Sequence, residues 1–133
     1  AYCRAIDLKI DRNTGRLNFL VERKNNVDDT VWWAGEMSAW GKSLKNIGIG
    51  AVGDTALALA ARPDVVAVCG TRAVDVPDAI DKLDALAVLL RPNELPEPRV
   101  FDYQPLGALP HQFAETAHDC DFAQDTLVLV GAA

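Results

Sequence analysis

The sequence predicts a single domain of α/β or α+β class: a mixed sheet of about five strands, opened by an antiparallel hairpin and covered by three to four helices. Three observations carry this expectation. Two segments near the N-terminus alternate apolar and polar residues. Farther on, stretches with apolar residues at helical spacing alternate with short apolar runs. The composition is globular, with 50% hydrophobic and 24% charged residues in a chain of 133. That length suits one domain, 1–133, with a core that needs no disulfide or metal staple. No internal repeat or interdomain linker stands out.

The elements follow in order. In RAIDLKI (4–10), Ile6, Leu8 and Ile10 share one face of a strand; in LNFLVERK (17–24), Leu17, Phe19 and Val21 do the same. DRNTGR (11–16) between them supplies a turn, with Gly15 free to take positive φ. Trp33, Met37, Trp40 and Leu44 recur at spacings of four, three and four, which predicts an amphipathic helix over 28–45. Gly35 and Gly41 weaken it by about 1 kcal/mol each relative to alanine. Asp54 and Thr55 open an Ala/Leu-rich segment (54–62) that predicts a short helix stopped before Pro63. DVVAVC (64–69) predicts a buried strand, with Cys69 as a small buried apolar side chain. Ile80, Leu83, Ala87 and Leu90 predict a helix from Asp75 to Arg91. RVFDYQ (99–104) predicts a strand, Pro110–His118 a short helix, and TLVLV (126–130) a fully buried terminal strand.

The charge excludes some functions. Net charge is −6, and it is uneven: +2 over residues 1–45 and −8 over 46–133. An acidic surface repels phosphate backbones, which argues against sequence-independent nucleic-acid binding. No apolar run reaches the roughly 18–20 residues of a membrane helix. Cys3, Cys69 and Cys120 are widely spaced and odd in number, unlike a disulfide framework or a zinc site. They point to a reducing, cytoplasmic setting. A first residue of Ala rather than Met leaves a removed leader open.

Four groups of residues invite chemistry. Gly48, Gly50 and Gly53 match G-x-G-x-x-G, where glycines let pyrophosphate approach backbone at a helix N-terminus. The acid that would bind ribose is missing from the next strand's end, where Cys69, Gly70 and Thr71 stand, although Arg72 could meet a 2′-phosphate. His111, Glu115 and His118 share a face if the segment is helical. Histidines seven apart lie about 10 Å apart along a helix axis, too far for one ion, so a solvated face is preferred and no metal is expected. Cys120 lies between Asp119 and Asp121, which raise a thiol pKa rather than stabilise a thiolate. Trp32 and Glu36 flank the tryptophan stripe, and an exposed Trp32 would suit a protein partner.

No P-loop, GxSxG, HExxH or EF-hand motif occurs in the sequence. The favoured reading is therefore a non-catalytic protein-binding or assembly protein, without cofactor, acting on a partner or on itself through its acidic surface or through Trp32 and Glu36. The alternative is a nucleotide- or dinucleotide-using enzyme or sensor with Gly48, Gly50, Gly53 and Arg72 at the phosphates.

Overall fold

The computed structural model describes residues 2–11, 15–26, 29–37, 43–49, 54–74, 83–110 and 113–132. Among them there are ten strands and no helix. The fold is all-β, so the expected α/β or α+β class is overturned. β1 (Tyr2–Asp11), β2 (Arg16–Asn26), β3 (Asp29–Met37) and β4 (Ser43–Ile49) form one antiparallel sheet in chain order. β5 (Asp54–Arg62), β6 (Val65–Ala73), β7 (Leu83–Leu90) and β8 (Glu97–Phe101) form a second sheet of the same build. β9 (Thr116–Ala123) and β10 (Thr126–Ala132) form a third, two-stranded sheet.

The N-terminal hairpin forms as expected, with Gly15 at φ 71°, but the register shift at Ala5/Asp7 breaks the expected face of Ile6, Leu8 and Ile10: Ile6 packs against the core, while Leu8 and Ile10 stay exposed. The strands expected at 64–69 and 99–104 are β6 and β8. None of the four helices is found among the described residues. Residues 28–45 hold β3 and the start of β4, 54–62 are β5, and 83–90 of the third helix are β7. Residues 116–118 of the fourth begin β9. Ile80, Trp40 and His111, which the helix assignments used, lie outside the described residues.

The reason lies in how the second sheet is buried. Aligned across β5, β6 and β7 are Leu59, Val68 and Val88, and beside them Ala61, Val66 and Leu90. These pack with Leu20 and Ile6 of the first sheet. The opposite face carries Ala58, Cys69 and Ala87 in one row, and Ala60 and Ala67 in the next. Ala58, Ala60 and Cys69 pack against Ala117 and Cys120 of the third sheet, with Phe122, Leu127 and Leu129 alongside. A sheet covered on both faces needs apolar residues at every position, so period-2 alternation disappears. An Ala/Leu run of that kind also has high intrinsic helix propensity, and tertiary burial outweighs that preference here.

The sheets repeat one construction. The first strand of each carries a register shift, at Ala5/Asp7, at Ala56/Ala58 and, opposite Val130/Gly131, at Ala117/Asp119. The extra residue is Ile6, Leu57 or His118. β5 packs beside β1 on one side and β9 on the other, so the first strands of successive sheets are neighbours. Up-and-down sheets stacked face to face in this way are also how successive blades of a β-propeller are arranged. At the second and third shifts a glycine is required. A Cβ on Gly70 would overlap the carbonyl oxygen of Thr55, and one on Gly131 that of Thr116.

Candidate functional site

Two features of this stack could do chemistry or recognition. The first is a carboxylate cluster at one end of the second sheet. Register places Asp54, Arg72 and Asp84 side by side across β5, β6 and β7. Asp102 follows β8 directly, and Glu115 precedes β9, its N–H donating to the Leu83 carbonyl at 2.8 Å. The Arg72 guanidinium makes a bidentate pair with the fully buried Asp54 carboxylate, at 2.8 and 2.9 Å. That hydrogen bonding pushes the Arg72 pKa up further. One carboxylate oxygen each from Asp84, Asp102 and Glu115 lie within 4.8 Å of one another. Asp84 and Glu115 are buried and Asp102 is half-buried. Glu115 accepts the Tyr103 N–H at 2.9 Å through Oε1, while Oε2 is buried and makes no hydrogen bond. Burial pushes the Glu115 pKa above the usual carboxylate range, and the charges of Asp84 and Asp102 add to that.

The second feature is the free side of the third sheet. β10 pairs with β9 on one edge, and no described strand pairs with the other. Leu127 and Leu129 are half-buried toward the second sheet, whereas Val128 and Val130 are 44% and 63% exposed. The fully buried terminal strand expected from TLVLV is thus an edge strand with one bare face. A cleft of about 660 Å³ lies between this hairpin and β6–β8, with Val65, Leu89, Phe101, Phe122, Leu127 and Leu129 among its walls. Arg62, Arg91 and Arg99 reach it, but each has a carboxylate partner. Arg62 pairs with Asp125 at 3.0 Å and stacks 5.5 Å from the Phe122 ring centre. Arg91 and Arg99 both meet Glu97 at 3.3 Å and hold its pKa below the ordinary range.

The residues singled out by sequence are scattered. Trp32 and Glu36 lie in β3, with backbone paired to β2 and β4 on either side. Gly48 lies in β4 opposite Trp33, and Gly50 and Gly53 fall outside the described residues. The segment after these glycines is strand β5, so the helix N-terminus that a dinucleotide fingerprint requires is absent there. Arg72 is held by Asp54. His118 is exposed on β9, and the helix face meant to align it with Glu115 does not exist. Cys120 is buried against Cys69. Hydrogen bonding to Cys69, then burial, pushes its thiol far above the normal range, with Asp119 adding less. It is not an activated nucleophile.

Sequence reasoning missed Asp84, Asp102 and the β10 edge. Asp84 and Asp102 are brought together only by the pairing of β7 with β8. The bulges had a local signal: Ala-Ile-Asp at 5–7 and Ala-His-Asp at 117–119 mark the same register shift in β1 and β9. No family model, curated protein or solved structure matches this chain.

Proposed function

We propose that this protein is a non-catalytic protein-binding or assembly module in which the edge of β10 left unpaired by the described residues takes up a further extended strand. One observation carries the proposal. β2 and β6 occupy the same place in their sheets as β10 in its own, and each is covered by a third strand, β3 or β7. Only β10 lacks one among the described residues. In an antiparallel pair, alternate residues turn their N–H and C=O groups away from the partner. An uncovered edge with exposed valines is a template for strand addition. The occupant is an antiparallel segment with apolar residues on the side facing Leu89 and Phe101, the apolar part of a cleft wall that also carries Arg62, Arg91 and Arg99. Trp32 and Glu36 belong to the first sheet and take no part in this edge.

The test uses a soluble peptide carrying residues 83–90, the strand that fills the equivalent edge of the second sheet. Amide hydrogen exchange of the 133-residue chain is followed with and without it. Slower exchange across 126–132, with β8 unchanged, supports strand addition. Protection of the same residues that grows with protein concentration supports it too and makes the partner a second copy. Unchanged exchange in β10 under both conditions overturns it.

A further inference from the structure

We propose that Asp84, Asp102 and Glu115 together bind one hard divalent cation of the calcium type. Calcium takes oxygen ligands at 2.3–2.6 Å, so oxygens sharing one ion lie no more than about 4.6–5.2 Å apart. The three carboxylate oxygens meet that limit, all within 4.8 Å of one another. Among the described residues the set offers carboxylate oxygens alone, a donor type that selects calcium, magnesium or manganese over zinc or copper.

The independent sign of a ligand is Glu115. It is 5% exposed, and its Oε2 is buried with no hydrogen-bond partner, next to two further carboxylates. A buried, unsatisfied carboxylate oxygen is costly, and a cation at this point satisfies it. The three ligands come from β7, from the segment after β8 and from the segment before β9. A cation there would tie the third sheet to the second at the point where the chain passes between them. The competing occupant is a proton shared by Glu115 and a neighbouring carboxylate.

Two readouts on chelator-treated protein separate these. Calcium chloride is titrated against thermal unfolding, and terbium is titrated as a luminescent probe, with Tyr103 beside Glu115 as sensitiser. A bound cation at about a hundred times its dissociation constant should raise the melting temperature by on the order of 10 °C. Terbium emission should rise on binding and fall when calcium displaces it. Asp102→Asn and Glu115→Gln should each weaken terbium binding at least about tenfold, whereas Asp64→Asn, in the β5–β6 turn, should leave it unchanged. If Glu115→Gln does not fold, Asp102→Asn decides alone. A folded wild-type chain with neither a melting shift nor terbium emission leaves the shared proton as the occupant and overturns the proposal. So does an Asp102→Asn chain that binds terbium as tightly as wild type.

Discussion

At the scale of single residues, the close approach of strands at the bulges governs what is tolerated. Gly70 and Gly131 sit where the first strand of a sheet shifts register, and the carbonyl of the residue before each bulge fills the space a side chain would take. The obstruction at Gly70 is backbone and cannot rotate away. Gly70→Ala should therefore cost at least about 2 kcal/mol, within the usual range for overpacking. Gly107→Ala is the control. It adds a methyl into open space at φ +84°, so only the left-handed backbone opposes it, at about 1–2 kcal/mol. Urea melts of both variants measure the difference. A Gly70→Ala protein no less stable than Gly107→Ala would mean the bulge geometry is wrong. The thiols follow the same logic of position: Cys3 is exposed, whereas Cys69 and Cys120 are buried against each other between two sheets.

At the scale of elements, the lesson comes from β5 and β7. Both read as helices because alanine and leucine favour helix and because Leu83, Ala87 and Leu90 fall at helical spacing. In the sheet the same residues divide by parity and bulge instead. Leu59 is fully buried, while Leu57, the extra residue of the bulge, is 36% exposed. Leu59→Ala should cost about 2–5 kcal/mol by opening a cavity among Leu20, Val68 and Val88. Leu57→Ala should cost less than about 1 kcal/mol, as surface substitutions away from special features usually do. Equal losses at the two positions, measured by chemical denaturation, would reject the bulged strand. The N-terminal hairpin was legible from its period of two and its turn, but not in which face is covered: Leu20 and Asn18 are buried, whereas Leu8 and Ile10 stay 52% and 60% exposed. β3 carried a usable signal as well, since Thr30, Val31, Trp32 and Trp33 form a strongly strand-favouring run beside glycines that disfavour helix.

At the scale of the whole molecule, charge and stacking set what the protein can meet. The net charge of −6 concentrates in the two later sheets. The cations along the cleft beside β10 are already paired with Asp125, Asp64 and Glu97. Counterion release would supply little free energy for a polyanion at this surface. Duplex DNA or RNA at about 150 mM salt should therefore show no submicromolar binding by fluorescence anisotropy, and tight sequence-independent binding would refute the electrostatic argument. A protein strand carries no such penalty, because it bonds through backbone amides and apolar side chains. None of the described residues forms a helix long and apolar enough to cross a membrane.

The sequence by itself determined the hairpin, the buried run at Val65–Cys69 and the strands near residues 100 and 128. It also determined the acidic balance and the absence of familiar catalytic motifs. Each of these is local: a period of two, a turn residue, a charge count. The tertiary structure decided that 54–62 and 83–90 are strands, because a sheet buried on both faces erases the alternation that marks a strand in sequence. It decided that the chain repeats one sheet construction whose three bulges share only their first alanine, Ala5, Ala56 and Ala117, with an Asp following in two of them. It also decided that Asp84, Asp102 and Glu115 converge. Strand pairing brings together residues 18 and 31 positions apart, and no spacing along the chain encodes that convergence.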